Sequence, residues 1–368
     1  MNIVFRADAS AMIGNGHMVR CLTLASKLRQ LGHDCCFVMC ADENNSHRMI
    51  ECLDFDCFLL PSCELTDIDQ QSDAEATLAM LSSLSLADCV VVDHYQISAI
   101  WHMLVNAKIA NIVVIDDLFD RDLYCHLLID QTYQRQAEQY QPRLKRQAKL
   151  CLGTEYALLR DDFATMRPQA LARRQEPSKI KSVLLSMGGT DSQNDTLTII
   201  QWLLPNLAAM DLNLTVVLAG NAPHRLTVEA YVKGQPCVNL LSNVKDMAGL
   251  VCNHDIAIGA MGTSTWERCC LGLPTIAIIT ADNQRDIAVT VAEAGAVLLL
   301  GHMSDLTEAS FNAEFSALSA DVQRYQTMSE AGFAICDGSG AERSAVQIVD
   351  LLQKNNTIDT KEAPDVSG

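Results

Sequence analysis

Short runs of β-branched and apolar residues alternate along the chain with stretches whose apolar positions recur every three or four residues. In the first half the runs are residues 3–5, 35–40, 57–60, 89–93, 112–116 and 127–130. Between them lie helical patterns, such as His17 to Leu31, where Leu24, Leu28 and Leu31 fall at helical spacing. Val90-Val91-Val92 and Ile112-Val113-Val114-Ile115 are apolar on every position, as in strands buried on both faces. Strand and helix in alternation predict a parallel sheet covered by helices.

The pattern breaks at residues 167–181, a polar, basic stretch with two prolines. It reads as a linker. A second series follows at residues 183–187, 214–218, 238–240, 255–258, 275–279 and 296–299. The expected organisation is an N-terminal α/β domain over residues 1–166, the linker, a second α/β domain over 182–353 and a frayed tail over 354–368. Two Rossmann-like, doubly wound α/β domains in tandem place a ligand cleft between the carboxyl ends of their strands.

Composition narrows the partners. Lys and Arg total 27 against 45 Asp and Glu, a formal charge of −18. Such a balance argues against nucleic acid, although a few backbone N–H groups can still hold the phosphate of a small ligand. The 15 cysteines include no CxxC pair and many sit inside apolar runs, where cysteine acts as a small hydrophobe. Neither a disulfide framework nor a metal site is expected, and no cofactor. No apolar run approaches the ~20 residues of a membrane span, and the chain starts directly on a strand-like segment. The expectation is a reduced, soluble, cytoplasmic protein without stable membrane association.

Several loops at strand ends could carry chemistry. The first, Arg6 to His17, contains Asp8, Gly14 and Gly16 and opens into a helix bearing Arg20. His17 falls at the helix N-terminus, where the dipole favours a neutral, basic imidazole suited to general-base work. The same residues also fit a plain glycine turn with a polar first-turn side chain. It is not a dinucleotide GxGxxG, because the sixth position is Val19. Asp93-His94-Tyr95 and Asp116-Asp117 end later strands. Acids there commonly begin turns and cap helices, and that reading is favoured for Asp116 and Asp117. The Tyr95 phenol can hydrogen-bond a sugar or a reacting water.

In the second half, Gly188 and Gly189 follow a strand and offer backbone N–H groups to a phosphate. The stretch from Gly259 to Pro274 is more informative. A strand ends in Gly262-Thr263-Ser264, a short helix carries Glu267, and Gly-Leu-Pro leads into the next strand. Free N–H groups at that turn suit a diphosphate, and Glu267 can accept both hydroxyls of a ribose. A structural helix capped by Thr263 or Ser264 fits equally well. Asn283 and Gln284 then place amides after a further strand.

Taken together, Arg6–Ser10, Ile13–His17, Arg20-Cys21-Leu22, Asp93-His94-Tyr95, Gly188-Gly189, the Gly259-to-Pro274 loop and Asn283-Gln284 resemble the nucleotide-sugar hydrolases of pseudaminic acid biosynthesis. The resemblance spans residues 1 to about 350, and its second-domain loop is shared with glycosyltransferase-B (GT-B) enzymes. It implies a GT-B architecture and metal-free, inverting hydrolysis of UDP-2,4-diacetamido-2,4,6-trideoxy-β-L-altropyranose to UDP and the free sugar. It further implies His17 as the catalytic base, Tyr95 and Asn283 as supporting active-site residues, and Glu267 as the ribose ligand. Gly14, Gly16, Arg20, Gly188, Gly189, Gly262, Thr263, Ser264 and Gln284 are expected around UDP and sugar. Asp8 is expected to orient His17. A glycosyltransferase, a non-hydrolysing epimerase or a nucleotide-sugar binding protein without turnover would share much of this pattern.

Overall fold

Thirteen parallel strands form two sheets in a computed structural model that describes residues 1–9, 16–41, 47–61, 68–82, 87–175 and 179–359, excepting the side chains of 355–359. The first sheet comprises β1 (Asn2–Ala7), β2 (Asp34–Cys40), β3 (Asp56–Leu60), β4 (Cys89–Asp93), β5 (Asn111–Ile115), β6 (Leu127–Asp130) and β7 (Lys149–Leu152). Their spatial order is β3-β2-β1-β4-β5-β6-β7. The chain leaves β1 toward one edge and returns to β4 on its other side. That reversal opens a crevice at the carboxyl ends of β1 and β4.

The second sheet comprises β8 (Ser182–Ser186), β9 (Asn213–Val217), β10 (Val238–Leu241), β11 (Ile256–Ala260), β12 (Thr275–Ile279) and β13 (Val297–His302). Its order, β10-β9-β8-β11-β12-β13, repeats the reversal at β8 and β11. Both units are therefore Rossmann-like, and every strand pair is parallel, as the unbroken valine and isoleucine runs require.

The domain boundaries differ from the expected ones. Unit 1 is Met1–Leu158 together with the segment from Ser339, and unit 2 is Leu159–Gly338. The presumed linker is largely a helix, Asp161–Gln175. Pro168 lies inside it and costs one backbone hydrogen bond. Its arginines offset that cost. Arg167 donates to the carbonyls of Cys270, Phe333 and Cys336, and buried Arg174 to those of Val251, His254 and Leu271. Residues 176–178 lie outside the described residues.

The second correction concerns the C-terminus. Residues from 340 belong to unit 1, because the helix Gly340–Asp359 buries Ala341, Ala345, Ile348 and Leu352 against the core around β1. Its close approach needs glycine: a Cβ on Gly340 would lie 2.3 Å from the backbone nitrogen of Ala157. Residues 354–359, where a frayed tail was expected, continue this helix, and residues 360–368 lie outside the described residues. Thirteen cysteines among the described residues are free thiols, whereas Cys40 is disulfide-bonded, which corrects the fully reduced reading at one position.

Candidate functional site

In unit 1 the crevice between β1 and β4 gathers side chains from three elements. Asp93 is the last residue of β4 and fully buried. His17 and Arg20 sit in the first turns of the helix Gly16–Gln30, on the face turned to the sheet. Nδ1 of His17 lies 2.6 Å from Oδ1 of Asp93. Arg20 grips the same carboxylate with Nε on Oδ2 and Nη2 on Oδ1, both at 2.6 Å. Its Nη1 reaches Asp117 at 2.8 Å, and Cys21 Sγ donates to Oδ2 of Asp93 at 3.4 Å.

The electrostatics follow from this packing. Burial by itself would raise the pKa of Asp93, but Arg20 and His17 outweigh it and hold the carboxyl well below the usual range. Asp117 is likewise lowered, with Arg20 opposing its burial. An ionised carboxylate only accepts hydrogen bonds. Nδ1 of His17 must therefore carry the ring proton, which leaves Nε2 as the lone-pair nitrogen of the neutral ring. Arg20 Nη2 comes within 3.2 Å of Nδ1 because both donate to one oxygen. The Tyr95 ring stands edge-on to the His17 ring with centroids 4.4 Å apart. Burial, and then the Asp117 carboxylate, push the Tyr95 phenol up, so it stays protonated.

Asp8 does not orient His17. It pairs with Arg6 at 2.8 Å, lies 3.2 Å from Nε2 of His94 and accepts from the Cys40 amide at 2.7 Å. Arg6 is itself fully buried and also bound to Asp73, which takes the Trp101 indole N–H as well. This second cluster stiffens the end of β1. Asp116 is also committed elsewhere, to Arg121, the Phe119 amide and Tyr140. Asp93, read from the sequence only as one of a group of residues ending a strand, is the residue that His17 and Arg20 share. Gly16 begins the helix that carries His17, and Gly14 lies outside the described residues.

In unit 2 the corresponding crevice lies between β8 and β11, whose residues Ser186 and Gly259 are register partners. Gly188 and Gly189 follow β8, and Gly188 has φ +104°, a conformation costly for any residue with a Cβ. Gly262, Thr263 and Ser264 follow β11 and lead into the short helix Ser264–Cys270. Thr263 occupies the N-cap position, yet its hydroxyl makes no capping bond. The capping alternative is therefore not what Thr263 does. Ser264 Oγ accepts instead from Arg268 at 2.9 Å.

Glu267 is half-buried one turn into that helix. Burial pushes its pKa up to about 7, against the pull of Arg160 and Arg268 and with a further push from Asp162. Among the described residues no hydrogen bond or ion pair holds its carboxylate. Asn283 is exposed on the short turn Asp282–Gln284, and Gln284 Oε1 folds back to accept from the Thr280 amide. The structure thus brings His17, Arg20 and Tyr95 together in unit 1. In unit 2 it brings Gly188 and Gly189 to the same crevice as Gly262, Thr263 and Ser264. Among the described residues no group of three or more His, Cys, Asp or Glu side chains could hold a metal ion, and no helix is long and apolar enough to cross a membrane.

No protein-family model matches the chain. Among curated proteins it is 24% identical over 202 residues to the spore coat polysaccharide biosynthesis protein SpsG of Bacillus subtilis, covering 55% of this chain and 58% of that one. It is 21% identical over 295 residues to the UDP-2,4-diacetamido-2,4,6-trideoxy-β-L-altropyranose hydrolase of Campylobacter jejuni, covering 80% and 97%. The match thus spans less than two thirds of the first relative's length and nearly all of the second's. Among solved structures, UDP-GlcNAc 2-epimerase from Neisseria meningitidis, bound to UDP-GlcNAc, superimposes with a TM-score of 0.67 at 12% identity over 95% of this chain and 100% of that one. Acinetobacter baumannii MurG does so with 0.66 at 13% over 96% and 99%. The fold is the two-unit GT-B architecture.

Proposed function

We propose that this chain hydrolyses a UDP-sugar at its anomeric carbon, with His17 as the general base. The observation that carries the reading is the 2.6 Å contact between His17 Nδ1 and Asp93. It fixes the tautomer in which Nε2 can take a proton from water, and the Asp93 charge stabilises the imidazolium that results. A nucleoside diphosphate leaves with a terminal phosphate of pKa about 6, so the reaction needs no strong general acid. That separates it from glycosidases with paired carboxylates. Displacement by water from the opposite face inverts the anomeric centre.

The remaining roles divide between the units. Tyr95, kept protonated beside His17, is suited to hold the attacking water or a sugar oxygen. In unit 2 the N–H groups of Gly188, Gly189 and the Gly262–Ser264 turn would take the diphosphate, with Glu267 on the ribose and Asn283 and Gln284 toward the sugar. The C. jejuni hydrolase supports UDP-2,4-diacetamido-2,4,6-trideoxy-β-L-altropyranose as the substrate, which would place the reaction in the cytoplasm beside the enzymes that supply nucleotide sugars. Proton NMR of the protein with that UDP-sugar and no acceptor tests the reading. Stoichiometric UDP and a free sugar released first as the inverted anomer are expected. A C2-epimerised UDP-sugar, or an unconsumed one, would overturn it.

A further inference from the structure

The carboxyl end of the unit 1 sheet holds the His17 cluster, and the amino end carries a second polar feature. A shallow depression of about 660 Å³, widely open to solvent, is lined there by Tyr124, Lys145, Arg146, Gln147, Ala148 and Lys149. Tyr124 and His126 immediately precede β6, and Lys149 is the first residue of β7. In a parallel sheet these positions face away from the edge where Asp93 ends β4. Three cations therefore meet in one depression of a chain whose formal charge is −18. Lys145 is engaged by Asp122 at 2.8 Å. Arg146 and Lys149 have no carboxylate partner among the described residues.

The donors around Arg146 are in conflict. The Ile112 amide donates to His126 Nδ1 at 3.1 Å, so that nitrogen holds a lone pair. Burial, and then Arg146, hold the ring's pKa down to about 4, so it is neutral and its single proton sits on Nε2. That N–H points at Nη1 of Arg146, its immediate neighbour. Two donors face each other with no acceptor between them. Arg146 Nη1 has one acceptor, the Tyr124 hydroxyl at 3.4 Å, and the guanidinium carbon lies 5.1 Å from the centroid of the Tyr124 ring, but its Nε is buried without a hydrogen-bond partner among the described residues. A buried donor left unmatched, as Arg146 Nε is, is uncommon and costly.

We propose that this depression binds a small molecule through a phosphate or carboxylate group. The anion's oxygens would accept from Arg146, from the Nε2–H of His126 and from Lys149, which resolves the facing donors. The volume lies within the range of small-molecule sites, about 300–1,000 Å³. The site shares no residue with the nucleotide-sugar chemistry proposed above and does not depend on it.

Calorimetric titration of the full chain at low ionic strength tests this, with inorganic phosphate and citrate as separate probes and with UDP present to fill a nucleotide site. The expected result is saturable one-to-one binding of at least one probe, the stronger of the two identifying the ligand's group. Arg146→Gln and Lys149→Gln should each weaken it at least tenfold, while Glu267→Gln leaves it unchanged. Should Arg146→Gln fail to fold by circular dichroism, Lys149→Gln, at an exposed position, decides alone. Absence of saturable binding, or binding indifferent to the two variants, would overturn the proposal. So would binding lost in Glu267→Gln but kept in Lys149→Gln. If UDP itself does not bind, the nucleotide reading falls, and the dependence on Arg146 and Lys149 is read all the same.

Discussion

Nδ1 of His17 and Oδ1 of Asp93 lie 2.6 Å apart although 76 residues separate them, and Arg20 closes the triangle by chelating the same carboxylate. A His–Asp pair alone would leave Asp93 free to rotate. The bidentate guanidinium removes that freedom and holds the ring plane through a charge that cannot titrate near neutral pH.

Asp93→Asn should therefore damage the chemistry more than the binding. An amide can turn its NH2 toward Nδ1 and reverse the tautomer, putting the proton on the wrong nitrogen. The expected fall in kcat is about 10²–10⁴-fold, with UDP affinity in calorimetry near wild type. Arg20 also loses its buried partner, so a stability loss of up to about 3–5 kcal/mol should appear in urea unfolding. A variant with normal kcat would mean that Asp93 serves Arg20 alone.

His17→Asn keeps a polar side chain of similar reach but cannot take a proton. Its kcat should fall by about 10²–10⁴-fold with UDP affinity unchanged. Loss of UDP affinity in parallel with the rate would instead make His17 a phosphate ligand.

How much of this was legible in the sequence depends on distance along the chain. The strands of both sheets were readable from continuous runs such as Val90-Val91-Val92, because a strand buried on both faces has one composition. His17 and Tyr95 were readable from their places after strands. The pairing of Asp93 with His17 was not, since the two are 76 residues apart and only the folded chain shows Arg20 and His17 converging on that carboxylate. The helix Asp161–Gln175 was misread because it buries only Phe163, Ala170 and Arg174. One of those three is an arginine whose acceptors are carbonyls about 80–100 residues away and the still more distant Tyr325 hydroxyl. The four-residue edge strand Lys149–Leu152 carries too short an apolar pattern to be called from spacing.

The C-terminal helix offers a direct test of the unit boundary. Ile348 is fully buried in the core that also contains Ile3, Phe5 and Leu24. Ile348→Ala should cost about 2–5 kcal/mol, seen as a lower urea midpoint. Tryptophan fluorescence should follow it through Trp101, which lies in unit 1, with Trp202 and Trp266 in unit 2 less affected. An unchanged Trp101 signal in a Trp202→Phe/Trp266→Phe background would detach the helix from unit 1.

Chelation should leave turnover intact. The proposed leaving group is already a good one, and backbone N–H groups with hydroxyls can hold its charge without a cation. Activity lost in EDTA and restored by a divalent ion would show that the diphosphate is held through a metal.

Glu267 should make nucleotide binding depend on pH in a defined direction. Its carboxyl is pushed up to about 7 by burial, so near neutrality the unliganded protein holds a mixture of acid and carboxylate. Only the carboxylate can accept both ribose hydroxyls. Binding UDP then releases a proton, and affinity must rise as pH increases through 7. Between pH 6 and pH 8 the ionised fraction grows from about a tenth to about nine tenths, so Kd should improve by roughly tenfold and then level off. Calorimetry in two buffers of different ionisation heat would register the released proton directly. Glu267→Gln should bind more weakly by about 1.5–3 kcal/mol and lose this pH dependence, with the effect in KM rather than kcat because ribose is remote from the broken bond. A variant that keeps both the affinity and its slope would leave Glu267 as a first-turn acid with no hold on the nucleotide.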